Sequence, residues 1–238
     1  MNEMIAKRKS IRKYDMTPLN ADVLVEIAAQ IKSLQPLYPA IAYSVEVVTK
    51  TKGLFNIKAP HYLVFGSETK AGAEENIGFI GQQMDLFFAE AGIGACWLGA
   101  SKPEVAVNPA MQEVSALPFV ICMAFGKPAE PLYRTLSEFK RKPLGAISEG
   151  QDKRLEAARL APSAINGQNW YFVAEDGKIH CYIKKLNPLK ALIYDRMVKI
   201  DMGIALCHIA EESKDFHFVK EASAPERKGY VYIGTVTG

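Results

Sequence analysis

Three stretches of this sequence carry residue types and spacings suited to chemistry. Near the start, Arg8-Lys9-Ser10-Ile11-Arg12-Lys13-Tyr14 interleaves cations with a hydroxyl just ahead of a helix. Two guanidiniums and a serine suit a phosphate monoester, because each arginine offers a fork of charged donors. The same composition also suits a solvated basic tail. The second stretch, Ala161-Pro162-Ser163-Ala164-Ile165-Asn166-Gly167-Gln168-Asn169-Trp170, follows a helix and leads into a strand. Its small residues let a flat ligand come close, Asn166 can both donate and accept, and Trp170 can anchor the turn in the core. Pro, Ser, Asn and Gly equally suit an ordinary helix-to-strand turn. The third, Ala91-Gly92-Ile93-Gly94-Ala95-Cys96-Trp97-Leu98-Gly99, contains the glycine spacing of a dinucleotide-binding loop. That loop must follow a strand and open a helix, whereas these glycines close one, so a Rossmann reading is rejected.

The elements that position these stretches can be read from periodicity. Thr17-Pro18-Leu19-Asn20 caps a helix whose apolar positions are Val23, Leu24, Ile27, Ala28 and Ile31. Tyr43 to Thr49 and Tyr62 to Phe65 read as strands. Residues Asn76 to Ala91 read as a largely buried helix that Gly92 and Gly94 end. Pro118 to Phe125 is apolar on both faces, as a central strand is. The order then repeats, with a helix at about Gln151 to Leu160, strands at Trp170 to Ala174 and Lys178 to Lys184, an apolar helix at about Met197 to Glu212, and a strand at Tyr230 to Val236. This reads as a pseudo-twofold of two half-repeats, since a spacing of about 110 to 120 residues is far outside solenoid periods. The expected units are a first half (1–128), a basic linker arm (129–147, with Lys140, Arg141 and Lys142) and a second half (148–238), together forming one compact unit.

Bulk composition narrows the classes. The chain has 238 residues, 49% of them apolar, enough for a buried core. Its net charge of +3 gives no reason to invoke nucleic acid, although a local phosphate pocket remains compatible. Cys96, Cys122, Cys181 and Cys207 are far apart, each in an apolar run, and read as small core residues rather than metal ligands or disulfide partners. No apolar stretch approaches the ~20 residues of a membrane span, and no signal-peptide core follows the basic start, so a cytoplasmic location is expected. None of His61, His180, His208 and His217 has a sequence partner that marks acid–base work, and no catalytic side chain is assigned.

Taken together, these motifs resemble the FMN-dependent nitroreductase family. Arg8, Ser10 and Arg12 match its basic RxSxR-like segment. Ala161 to Trp170 matches its A-P-S-x-x-N-x-Q-x-W turn, and Gly92 to Gly99 its G-x-G-x-x-W-x-G helix end. Gly126-Lys-Pro-Ala-Glu130 with Lys140-Arg141-Lys142 matches its late G-x-P-A-E and basic pair. The resemblance implies an α+β, nitroreductase-like fold of mixed sheets flanked by helices. By the same resemblance, Arg8, Lys9, Ser10, Arg12, Lys140 and Arg141 would hold the FMN phosphate and ribityl chain. Pro162, Ser163, Ala164 and Asn166 would contact the flavin ring, with the backbone amides around Leu98 and Gly99 near its N5.

One departure is informative. In the family the A-P-S-x-x-N turn follows the first helix, but here that place, Ser33 to Ile41, reads Ser-Leu-Gln-Pro-Leu-Tyr-Pro-Ala-Ile. Family members are homodimers in which one subunit grips the phosphate and the partner's turn lies against the ring. This chain keeps the phosphate elements in its first half and the ring turn in its second, which is similar to the fused, two-half subgroup. The resemblance therefore implies one FMN site per chain, a pseudo-dimer that can be monomeric, and hydride transfer from NAD(P)H to a nitroaromatic, quinone or similar small-molecule acceptor. Two other readings stay open, a flavin-storage or flavin-sensing protein, and a flavin enzyme of the same fold with different chemistry.

Overall fold

The computed structural model describes residues 1–53, 57–104, 117–222 and 224–238. A short helix α1 (Glu3–Lys7), capped by the Asn2 side chain accepting from the Met4 amide, precedes the extended basic segment. Helix α2 (Ala21–Ser33) starts where its sequence signals place it, with Asn20 Oδ1 accepting from the Val23 amide at 2.9 Å. Strands β1 (Tyr43–Val48), β2 (Thr51–Gly53) and β3 (His61–Ser67) follow, then helix α3 (Ala73–Glu90), β4 (Gly94–Leu98), β5 (Ser101–Pro103) and β6 (Phe119–Gly126). Gly92, at φ +75°, is the helix stop. Gly94, expected to share that role, instead opens β4, because the Gly94–Leu98 backbone finds its hydrogen-bond partners along β6.

The second half contains β7 (Ser148–Glu149), α4 (Arg154–Leu160), β8 (Trp170–Glu175), β9 (Lys178–Lys184), α5 (Pro188–Ala210), β10 (His217–Val219) and β11 (Tyr230–Thr237). Helix α4 begins three residues later than its pattern suggests, since Asp152 Oδ1 accepts from the Arg154 amide at 2.8 Å. Helix α5 begins nine residues earlier than Met197, because Asn187 caps the Lys190 amide and Pro188 supplies the first helical residue. Its first turns expose Leu189, Leu192 and Ile193, so no buried stripe marks them in the sequence.

The two main sheets have matching orders. The first runs β1-β3-β6-β4 and is antiparallel throughout; in the second, β8-β9-β11-β10 repeats that order antiparallel, and β7 adds a parallel edge beside β8. The buried helices α3 and α5 cross with reciprocal contacts. A Cβ on Gly78 would press into the Ile200 carbonyl, and a Cβ on Gly203 into the Glu75 carbonyl. The crossing thus relates Glu75 to Ile200 and Gly78 to Gly203 as equivalent positions, and the same register makes Asn76 the counterpart of Asp201. Leu63, Phe65 and Phe125 belong to the same apolar core as Phe172, Ile183 and Leu206, so the halves share one interior. No helix among the described residues is long and apolar enough to cross a membrane.

Candidate functional site

The basic segment runs beside β4 like an added strand. Ser10 bridges Ala95, and the Ile11 amide donates to the Ala95 carbonyl at 2.9 Å. The linker arm lies along its other side, with Arg8 opposite Tyr133 and Tyr14 opposite Pro128. Glu130 fixes the segment from the arm, its Oε1 accepting from the Arg12 amide at 2.7 Å and the Lys13 amide at 3.3 Å. These bonds hold the Glu130 carboxyl below its ordinary range, so it stays anionic. The arm then reaches the other half. Arg141 Nη1 donates to Asn166 Oδ1 at 2.6 Å, Asn166 Nδ2 donates to the Lys140 carbonyl at 2.6 Å, and the Lys142 amide donates to Gln168 Oε1 at 2.8 Å. Within the turn, Ser163 Oγ accepts from the Gln168 amide. Ile165, Asn166 and Gln168 all have φ near +50°, unusual for non-glycine residues and above all for a β-branched one. Such strain concentrates at functional sites, and here Ile165 is 78% exposed with no packing to reward it.

Two cavities open on either side of this turn. The first, about 470 Å³, is mainly apolar; Trp97, Gly99 and Ile121 wall it from the first half, and Ala164, Met197, Asp201 and Ile204 from the second. The second, about 530 Å³, is polar, with Lys9, Arg12, Arg134, Lys140 and Arg141 facing it alongside Glu130 and Glu138. Both are lined by Ser10, Arg12, Pro162, Ser163 and Ile165, so they meet as one bent site. Burial first, then the neighbouring Arg134, Arg8 and Arg159 cations, pulls the Arg141 pKa down to about 9. Arg134 is lowered to about 10 by burial and Arg8. Crowded, partly desolvated guanidiniums of this kind favour an anionic occupant.

The expected residues do not all face these cavities. Lys9, Ser10, Arg12, Lys140, Arg141, Pro162, Ser163 and Asn166 do, as do Ala164 and Gly99 in the apolar part. Arg8 lies behind them, 1% exposed, with Nε 2.9 Å from Asp85 Oδ2 on α3 and Nη2 donating to Ser10 Oγ at 3.2 Å. Leu98 is buried in β4 and lines neither cavity. Two further residues escaped the sequence reading. Arg134, a cation of the arm outside its Lys140–Lys142 cluster, donates to the Arg8 carbonyl and sits 3.8 Å over the Phe139 ring. Asp201 is the single acid in the buried part of α5, a signal visible in the sequence as a carboxylate inside an apolar run. Another unforeseen network stiffens the wall. His208 Nδ1 faces the Ala157 carbonyl at 2.9 Å, which can only accept, so Nε2 accepts from Gln82, whose Oε1 takes the Trp97 indole N–H at 3.4 Å.

The sequence pattern of the family described as "Putative TM nitroreductase" matches residues 1–213. The chain belongs to that family. Among solved structures it is similar to a putative nitroreductase from Thermotoga maritima, with 21% identity and a TM-score of 0.66 over 98% of this chain and 90% of that one. An FMN-dependent nitroreductase from Clostridium difficile (18% identity, TM-score 0.45) matches 59% of this chain and 95% of its own. A nitroreductase with bound FMN from Desulfitobacterium hafniense (14% identity, TM-score 0.44) matches 59% and 97%. No curated protein matches the chain. The family and the α+β nitroreductase fold are those the motifs suggested.

Proposed function

We propose that this chain is an FMN-dependent oxidoreductase that uses NAD(P)H to reduce a nitroaromatic, a quinone or a similar small acceptor, with one FMN held between duplicated halves. The observation that carries this reading is the junction of an apolar cavity with a cationic one at Ser10, Arg12, Pro162, Ser163 and Ile165. A planar ring bearing a phosphate on a flexible tail has that same division of polarity. Arg141 Nε, buried and without a partner, is the kind of donor a phosphate oxygen would satisfy. The matching sheet orders and the reciprocal crossing of α3 and α5 support the duplication.

In this reading Arg12, Arg134, Arg141 and Lys140 bind the phosphate, while Arg8, its Nε held 2.9 Å from Asp85 Oδ2, positions Ser10 from below. Pro162, Ser163 and Ala164 form a thin wall against the ring, and Trp97, braced through Gln82 and His208, forms another side. Bound FMN supplies hydride acceptance and donation at N5, chemistry no side chain of this chain provides. The test is reconstitution with FMN followed by spectroscopy and anaerobic addition of NADH or NADPH. Stoichiometric yellow protein that bleaches on addition is expected. A protein that binds no FMN overturns the reading, and one that binds but never bleaches is a flavin store.

A further inference from the structure

Asp201 stands out among the residues of the apolar cavity. It is 3% exposed on α5, and its Oδ1 accepts from the Ala164 amide at 2.9 Å, capping the strained turn. Its other oxygen, Oδ2, is buried without a hydrogen-bond partner, although the residue lines the cavity. The opposite half shows what the capping bond alone requires. There Asn76 on α3, the counterpart of Asp201 across the α3–α5 crossing, accepts from the Tyr38 amide at 2.9 Å. An amide therefore makes that bond equally well, without the cost of burying an ionisable group, and its Nδ2 is left buried without a partner just as Oδ2 of Asp201 is. The halves differ in what lies beneath the cap. In the first half the turn carries Leu37, which is buried, and Tyr38, whose ring packs on Phe218. In the second it carries Ser163 and Ala164, and a cavity lies beside them. The carboxyl thus lies beside a cavity, whereas the first-half turn above the amide is packed with large side chains.

We propose that Asp201 is the proton-carrying residue of the apolar cavity, its Oδ1 capping the turn while Oδ2–H donates a hydrogen bond to an acceptor atom on the edge of a planar heteroaromatic occupant. This rests on the reading of the cavity as a flavin site and adds a specific donor to it. Burial pushes the Asp201 carboxyl up to about 7, so the neutral acid exists near physiological pH. The ionisable groups sharing the cavity are Arg12 from the basic segment, Cys96 from β4 and Tyr194 on the same helix. Cys96 is held as the thiol by burial, which leaves Arg12 as the permanent charge among the lining residues. Across the helix crossing, Glu75 on α3 is itself pushed up by burial.

The experiment measures the affinity of the apo-protein for riboflavin, which lacks the titrating phosphate, and for FMN, by fluorescence quenching over about two pH units either side of 7. Wild-type affinity is expected to be constant on the acid side and to fall by up to about tenfold per unit above the Asp201 transition, as one proton is required for binding. Asp201→Asn retains an Oδ1 acceptor and an Nδ2 donor at every pH. Its affinity should stay within about threefold of the wild-type acid-side value, with a flat profile. Should that variant fail to fold, Asp201→Ser, which keeps a capping oxygen, serves as the second and should also be flat. A flat wild-type profile, or wild-type pH dependence retained in the variants, overturns the proposal while leaving the flavin site standing. Absence of binding of either flavin to wild-type protein overturns the site reading and the proposal together.

Discussion

Replacing Arg141 by alanine separates what this side chain does for the folded protein from what it does for an anionic ligand. In the structure Arg141 ties the arm to the second half through Asn166 Oδ1 at 2.6 Å and the Leu160 carbonyl at 3.2 Å. Removing it leaves the carbonyl of the fully buried Leu160 without that donor, a cost of about 1–3 kcal/mol. The same change thins a crowd of cations in which Arg134, Arg8 and Arg159 each disfavour the Arg141 charge. The two effects oppose, so the empty protein should lose only about 1 kcal/mol of stability. With FMN present nothing offsets the loss. A charged hydrogen bond to phosphate is worth about 1.5–3 kcal/mol, or roughly ten- to a hundredfold in affinity. Arg141→Ala should thus shrink the stabilisation by saturating FMN far more than the stability of the apo-protein. Denaturant melts with and without FMN, together with a fluorescence titration, read both quantities. An FMN dissociation constant within about twofold of wild type would refute the phosphate assignment.

Four further outcomes follow from the same structure. Gly203→Ala has no space for its methyl against the Glu75 carbonyl, and prying α3 from α5 should cost about 1–3 kcal/mol in chemical denaturation; an unchanged midpoint would contradict the tight crossing. Reconstituted protein should hold one FMN per chain, and a ratio near two, measured beside the solution mass, would reject the single combined site. Because hydride donor and acceptor would meet one open cavity in turn, double-reciprocal plots should be parallel; intersecting lines would require both substrates bound at once. His208 is held down to about 3 by burial, so its unfolded form binds a proton that the folded form refuses. Stability should therefore be lost as pH falls from about 6.5 toward 3, and His208→Gln should flatten that acid branch in equilibrium melts.

Much of the fold was legible because local chemistry dictates it. Asn20 with the Val23–Ile31 spacing specified a helix start, the doubly apolar Pro118–Phe125 run a central strand, and Gly92 a helix stop, each a choice made within a few residues. The short strands β2, β5, β7 and β10 left no such trace, since their hydrogen bonds come from partners elsewhere in the chain. The site divides along the same line. Sequence alone identified the basic segment, the Ala161–Trp170 turn and Arg141 as residues of suitable chemistry. Only the tertiary structure decided that Arg141 bonds directly to Asn166, that Arg8 faces Asp85 rather than the open cavity, and that Arg134 joins the cationic wall. Asp201 is the clearest case. The sequence shows a carboxylate in an apolar helix, but whether such a group is paired, capped or left with a free oxygen depends on what packs against it. That is settled by the packing of the Ala161–Trp170 turn on α5, which brings the Ala164 amide, 37 residues away in the chain, onto one carboxylate oxygen and leaves the other without a partner.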